Sequence, residues 1–345
     1  MSPRMTAGTR ACNNAGLAPG YQFAMRSITT FLACAACLLT TFALAQTWPD
    51  KPVRMVIPAA AGTSTDIVGR ELAQRLSSAL AQAVVLENIA GAGGAVGTER
   101  AAKSPADGYT LILGTIGTHS INPSVYSKIG YDSIRDFVPL VFVGYTPMLV
   151  VAAPTFAANT IPELIALARA QPGKLNFASS GSGTGNHLAG ELLKSLAGVE
   201  MSHVPYKSGA QAVTDVISGQ VSFMFYHIPG VGQQVKAGRL KALGLASTRR
   251  SPAMPNAVPV AEQGFPGFDV NPWWILYAPA ATPPAVVARL RTESAKIIGL
   301  PEYQERLAGQ GVETRAMSLD ELSAFTQQEL NRWTPVVRAS GARAD

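Results

Sequence analysis

The sequence predicts an α/β fold built as two lobes. Short apolar runs alternate with segments of helical periodicity along most of the chain. Two such sets follow one another, and the chain closes with a capped amphipathic helix that needs a surface to cover. Alternation of this kind implies mainly parallel sheets with right-handed crossovers. At 345 residues the length suits about two domains of roughly 100–200 residues each.

Pro52-Val-Arg-Met-Val-Ile-Pro58 reads as a buried strand, and beyond an Ala/Gly/Thr/Ser loop Ile67, Val68, Leu72, Leu76 and Leu80 recur at helical spacing. The same cadence gives a strand over 83–87, a helix near 94–103, a strand over 109–115 and adjoining strands over 138–144 and 148–152. Thr160-Ile-Pro-Glu163 opens a helix, with Thr as cap and Pro in the first turn, where its missing N–H is harmless. The second set then predicts strands over 175–179, 201–206, 221–226 and 240–246, with helices over 186–196 and 210–217. After the connection Ser251 to Pro259 come a strand over 269–278 and three helical segments, the last opened by the capping box Ser318-Leu-Asp-Glu321.

The chain is therefore expected to leave a first lobe near residue 146, build a second, and return near 250. That gives a leader over 1–45, a first lobe from 46–146 plus 250–345 covered by the C-terminal helices, and a second lobe over 147–249. Two crossings make a hinge, and the cleft between lobes is the natural ligand site.

Composition is that of a globular protein: 47% hydrophobic, 14% charged and 7% aromatic. The net charge is +6, but Arg4, Arg10 and Arg26 precede residue 46, where there is no Asp or Glu, so the remainder carries only +3. That is too mild for nucleic acid as a partner. Cys12, Cys34 and Cys37 also lie in this first stretch. Arg26, the apolar run Ile28 to Leu44 and Ala43-Leu-Ala45 have the order of a secretory signal peptide cleaved after Ala45, with residues 1–24 upstream of a start at Met25. For a retained membrane span the run is short and weakly apolar, and neither Cys34 nor Cys37 has a lipoprotein context.

Three segments offer binding chemistry. Pro58-Ala-Ala-Ala-Gly62-Thr-Ser-Thr-Asp66 joins a strand to a helix, where small residues let a ligand approach and the helix's free N–H groups hold an anion without Arg or Lys; Ser64 or Asp66 acting as a simple helix cap is the alternative. Phe177-Ala-Ser-Ser-Gly181-Ser-Gly-Thr-Gly185-Asn-His187 repeats that arrangement. Its glycine spacing matches neither a dinucleotide fingerprint, nor a P-loop, nor a nucleophile elbow. Gly114-Thr-Ile-Gly117-Thr-His119 runs a strand end into polar residues, where His119 either donates to a ligand or holds the loop. His119, His187, His203 and His227 lack metal-ligand spacing, so neither a metal nor a cofactor is expected. Gly91-Ala-Gly93-Gly94 reads as a turn before a helix. Alternation puts Trp273 and Trp274 on opposite faces, one of them in the core, without telling which meets the cleft.

Taken in order, several strings resemble the periplasmic solute-binding proteins of the Bordetella uptake gene type, the receptors of tripartite tricarboxylate transporters. They are Ala92-Gly-Gly94 after Glu87-Asn88, Pro105-Ala-Asp-Gly-Tyr109, Gly117-Thr-His119-Ser-Ile-Asn-Pro123, Pro172 through Gly181, His203-Val-Pro-Tyr-Lys207 and Leu240-Lys-Ala-Leu. The resemblance covers essentially all of residues 46–345. It implies a type II-like periplasmic-binding-protein fold that closes on a small carboxylate, gripping it through main-chain N–H groups and water. By position, one grip is Ala60, Ala61, Gly62, Thr63, Ser64 and Asp66, and the facing one is Ser179, Ser180, Gly181, Ser182, Gly183 and Thr184. Thr118 and His119 flank the pocket, and Tyr206 and Tyr226 line the second-lobe wall.

The chain departs from that family at Ala59, where an aromatic residue is common, and at Thr63, where a second glycine is common and the pocket should become more polar. It also carries Tyr226-His227 where Asp-Asn is frequent, removing a partner for a ligand amine and adding a ring. An aromatic carboxylate or a dicarboxylate without an essential amino group is the expected ligand. The expected setting is a periplasmic, monomeric, non-enzymatic receptor working with inner-membrane transporter subunits. Two other functions stand beside this one: a secreted hydrolase or transferase using Ser180 or Ser182 with His187 or His119, and a ligand-presenting partner of a sensor kinase.

Overall fold

Val53–Ile57 forms β1, buried and apolar as a strand with parallel neighbours on both sides requires, except at half-buried Arg54, whose guanidinium bonds Glu87, Ser104 and Thr110. The computed structural model describes residues 48–343, so the expected signal peptide, its cleavage site and the three cysteines lie outside the described residues. Next come α1 (Ser64–Leu80), β2 (Val84–Asn88), α2 (Ala95–Ala102), β3 (Thr110–Thr115), α3 (Asn122–Val125) and β4 (Phe137–Tyr145). The second set is β5 (Met148–Ala152), α4 (Ile161–Ala170), β6 (Asn176–Ser179), α5 (Gly185–Ala197), β7 (Ser202–Pro205), α6 (Gly209–Ile217), β8 (Phe223–His227), α7 (Ile228–Lys236) and β9 (Lys241–Leu245). β10 (Trp273–Pro279), α8 (Pro284–Ile298), α9 (Pro301–Ala308) and α10 (Leu319–Ser340) follow.

The strands make two five-stranded sheets of matching order, β2-β1-β3-β10-β4 and β7-β6-β8-β5-β9. Parallel pairing joins β2, β1 and β3, and likewise β7, β6 and β8. The expectation of mainly parallel sheets needs one correction: β10 and β5 run antiparallel to both neighbours. Each is the first strand laid down after the chain passes from one sheet to the other, and neither enters through a helical crossover that would enforce parallel pairing.

The passing segments lie side by side. Thr146 donates its N–H to the Pro272 carbonyl at 2.9 Å, Ala246 to Met148 at 2.7 Å and Val270 to Ala246 at 2.9 Å. A third segment joins them: Tyr145 and Glu313 exchange backbone hydrogen bonds of 2.9 and 2.8 Å, and Thr146 Oγ1 donates to Gly311 at 2.6 Å.

α10 begins with the expected capping box, in which Ser318 accepts from the Glu321 N–H and Glu321 reaches back. It buries Leu322, Trp333 and Val337. Its contacts include β4 of the first sheet and α5 beside the second, so it covers both halves rather than the first alone. Glu329 of α10 accepts from the indole N–H groups of Trp273 and Trp333 at 2.8 and 3.2 Å, which turns Trp273 toward the C-terminal helix.

Candidate ligand-binding site

In both sheets the parallel strands end toward one cavity of about 520 Å³, and the helices that follow them start at its wall. That is where open α/β sheets place ligands, because main-chain N–H groups of the first helical turn have no partner within the helix.

β1 delivers the loop Pro58 to Thr63. Gly62, with φ of +77°, turns its N–H onto Asp66 Oδ2 at 2.9 Å. Asp66 also accepts from Arg70 Nε at 3.0 Å and, through Oδ1, from Asn88 at 3.0 Å. Burial would raise this carboxyl, but the Arg70, Gly62 and Asn88 hydrogen bonds outweigh it and hold it below the usual carboxylate range. Thr63 adds no hydroxyl to the pocket: its φ is −79°, and its Oγ1 donates back to the Ala60 carbonyl at 2.7 Å. The start of α1 therefore has no side-chain cap.

β6 delivers Ser180 to Thr184. Thr184 Oγ1 turns back to the Gly181 carbonyl at 2.6 Å and also bonds Asn186 Oδ1, which accepts from Ser180 at 3.2 Å, so the start of α5 is uncapped as well. Two further uncapped starts meet the cavity, α2 behind Gly94 and α7 behind His227. All four N-cap residues, Thr63, Gly94, Thr184 and His227, line it. α6 differs, since Ser208 caps it by accepting from the Ala210 N–H.

Four helix dipoles thus point their positive ends at one space, each worth about 0.3–2 kcal/mol to an anion there. Among the described residues lining it there is no Asp, Glu or Arg, and Lys207 is the one lysine. Three polar atoms on the lining residues, Ser64 Oγ, Asn186 Nδ2 and His227 Nδ1, are shielded from solvent and have no hydrogen-bond partner. Buried polar groups rarely stay unsatisfied, so their clustering here marks a place for a polar ligand.

Of the residues expected from sequence, Ala60, Thr63, Ser64, Ser180, Gly181, Ser182, Thr184, Tyr206 and Tyr226 line the cavity. Ala61, Gly62, Asp66, Thr118, His119, Ser179 and Gly183 do not. Gly62 and Asp66 hold the first loop from behind. Thr118 bonds the Thr115 backbone and the His119 ring, while His119, fully buried, stacks 4.2 Å from Tyr277. Burial pulls its pKa down to about 3, so it is a neutral core residue. Ser179 is buried with its hydroxyl 2.6 Å from His203 Nε2.

The expected pairing of the two loops across the cleft also changes. The first-lobe turn at Gly93 lies against Gly181 and Ser182, whereas Ser64 lies nearest α7: an added Cβ on Gly230 would stand 3.0 Å from its Oγ. Sequence reasoning passed over α7, whose opening Ile-Pro-Gly-Val-Gly is poor in helix formers. It also passed over Asn186 and Lys207, and it took the 91–94 run mainly as a turn. Trp274 meets the cavity wall with its Nε1–H on Thr65 Oγ1 at 3.1 Å and its ring edge-on to His227 at 5.7 Å.

A Ser/His nucleophile is not assembled around Ser180. Its hydroxyl donates to Asn186, while His187 accepts from the Gly183 N–H at 3.3 Å and stacks on His203 at 3.9 Å. Tyr206 donates to Asp215 at 2.6 Å, and burial with that carboxylate pushes it up to about 12, so it stays a neutral phenol.

The sequence profile of the tripartite tricarboxylate transporter family receptor matches residues 68–342. Protein BugT of Bordetella pertussis is 34% identical over 323 residues, which span 92% of this chain and 99% of that protein. The fold is similar to R. palustris Rpa4515 with adipate, at TM-score 0.83 and 32% identity, covering 86% of this chain and 99% of that one. Periplasmic binding protein BugD gives TM-score 0.82 and 34% identity over 86% and 99%. MatC from Rhodopseudomonas palustris with bound malate gives 0.80 and 30% over 84% and 100%. With a two-lobed periplasmic-binding-protein fold and a match along most of its length, the chain belongs to the tripartite tricarboxylate transporter receptor family, the Bug-type solute-binding proteins.

Proposed function

We propose that this chain is a periplasmic receptor that captures a small carboxylate between its lobes and delivers it to a tripartite tricarboxylate-type membrane transporter. The observation that carries the proposal is the convergence of four uncapped helix starts on a cavity whose lining has no acidic side chain. Such a cradle attracts a carboxylate and repels nothing in it. Rpa4515 with adipate and MatC with malate, both similar to this chain, support the ligand class, and the name of BugD supports the compartment.

Under this proposal residues 1–45 are a leader and signal peptide with cleavage after Ala45, and the second lobe runs from 147 past 249 to the return at Val270, since Val258, Gln263 and Phe268 all meet its sheet. The hydrogen-bonded segments at 145–148 and 270–273 act as the hinge. Ala60, Thr63 and Ser64 grip from the first lobe and Ser180, Gly181, Ser182 and Thr184 from the second. Tyr206 and Tyr226 form the wall, and the protein works as a monomer without catalysis. Closure is a population shift, since ligand favours the closed state only through contacts made there.

The test is a thermal-shift and calorimetric screen of the purified protein with aliphatic and aromatic mono- and dicarboxylates. A binding acid at about a hundredfold excess over Kd should raise Tm by roughly 5 °C. Turnover of simple esters with no acid shifting Tm would replace the receptor by a hydrolase.

A further inference from the structure

We propose that His187 and His203, stacked behind the second-lobe loop, are positioning residues: they hold the Ser182–Gly183 peptide in the orientation that turns its carbonyl toward the first lobe, and so set ligand affinity without touching the ligand. The proposal rests on the receptor reading and deepens it by naming what fixes the shape of the second grip.

The Ser182–Gly183 peptide stands where the lobes meet. Its carbonyl oxygen accepts from the Tyr126 hydroxyl at 3.4 Å, and an added Cβ on Gly183 would lie 2.5 Å from Asn122 Oδ1. Both partners belong to the first lobe. The other end of the peptide points away from them, the Gly183 N–H donating to His187 Nδ1 at 3.3 Å. Gly183 has φ of +78°, and glycine accepts either sign of φ, so this peptide can turn over at little backbone cost. Turned over, it would aim its carbonyl at the imidazole and lose Tyr126. A neutral His187 decides between the two forms. With its proton on Nε2, 3.9 Å from Glu191 Oε1, its Nδ1 accepts from an N–H and offers nothing to a carbonyl.

His203 steadies both the imidazole and the neighbouring turn. Its ring stacks on His187 with centroids 3.9 Å apart, and on Phe177 at 5.1 Å. Its Nε2 lies 2.6 Å from Ser179 Oγ, which accepts the Gly181 N–H at 3.1 Å. The charged groups beside the pair, Glu191 and Lys194, bond each other at 2.9 Å. Burial keeps both rings neutral, pulling His187 down to about 4 and His203 to about 3. Neither histidine lines the cavity, so a change at either reaches a ligand only through the loop.

An asparagine carbonyl reaches roughly the place of imidazole Nδ1 and a glutamine carbonyl roughly that of Nε2, so the two amides separate the hydrogen bond from packing. Calorimetry with malate, succinate, adipate and benzoate would compare wild type with His187→Phe, His187→Asn, His187→Gln, His203→Phe and His203→Gln, with denaturant melts to report folding. Both Phe variants and His187→Gln should bind the wild type's best acid about tenfold more weakly, while His187→Asn and His203→Gln recover all but about threefold. Without ligand, exchange of the Gly183 amide hydrogen should be about tenfold or more faster in His187→Phe and His187→Gln than in wild type and His187→Asn. Wild-type affinity in a folded His187→Phe protein overturns the proposal and leaves the receptor intact. So does tighter binding by His187→Gln than by His187→Asn, the order that side-chain volume alone would give. Binding of none of the four acids by wild type overturns the receptor reading as well.

Discussion

Replacing Gly93 by Ala isolates lobe closure from lobe stability. Gly93 has φ of +58°, and an added Cβ would lie 2.4 Å from the Ser182 carbonyl oxygen of the opposite lobe. Ordinary contact begins near 3.4 Å, so the facing backbone would have to yield by about 1 Å. The positive φ costs an alanine about 1–2 kcal/mol in any conformation. The clash exists only where the lobes meet, and overpacking of this kind adds about 1–3 kcal/mol to the closed state alone. Affinity for the carboxylate that binds wild type should therefore fall about 5- to 150-fold. Gly173→Ala is the control: its φ is +71° with nothing within 4 Å, so it carries the backbone cost without the clash. Calorimetry gives Kd, denaturant melts give stability, and small-angle scattering follows the ligand-induced contraction. Equal stability losses with a Kd change confined to Gly93→Ala are expected. Wild-type affinity in Gly93→Ala would refute the contact as part of the closed state.

Two further outcomes follow from the same geometry. Asp66→Ala removes the anchor of the Gly62 N–H, Arg70 and Asn88, so the first loop should loosen and ligand affinity fall about tenfold or more; an unchanged Kd would mean the loop holds its shape without that carboxylate. Stability should decline in mild acid, because burial holds His119 and His203 down to about 3 and His187 and His227 to about 4, against 6.5 for a free imidazole. Below pH 6.5 the unfolded chain binds the extra protons. Stability is thus complete above that pH and lost as pH falls toward the folded values, with a slope of up to about 1.4 kcal/mol per pH unit for each imidazole. Denaturant midpoints measured from pH 8 to 5 check this, and a flat profile would refute it.

The alternation of elements was legible because buried strands and amphipathic helices leave different apolar periods, as at Val53–Ile57 and in the helix through Leu72 and Leu76. Strand direction leaves no such trace, so the antiparallel course of β5 and β10 emerges only from pairing. α7 hid for a related reason: Pro229, Gly230 and Gly232 weaken local propensity, and the helix holds through tertiary packing of Ile228 and Val231. At the site, small residues near strand ends identified two of the four helix starts. Polarity alone misled at Asp66, His119 and Ser179, whose polar groups support the wall from behind. What separates a residue facing ligand from one bracing it is which neighbour its polar atom meets, and those neighbours are far away in the sequence.

The interrupted first sheet has a consequence for biogenesis. Residues 148–245 encode the second sheet without a break, whereas β4, at the edge of the first sheet, has β10 as its neighbouring strand, and both β10 and the Glu313 segment that bonds its last residue are encoded after all of them. A nascent polypeptide emerging from its N-terminus can complete the later half while Phe137–Tyr145 still waits as an unpaired, largely apolar ribbon. Products truncated before Trp273 would keep that ribbon bare, which makes them substrates for proteases and nuclei for aggregation, and gives quality control a single feature by which to tell finished from unfinished molecules.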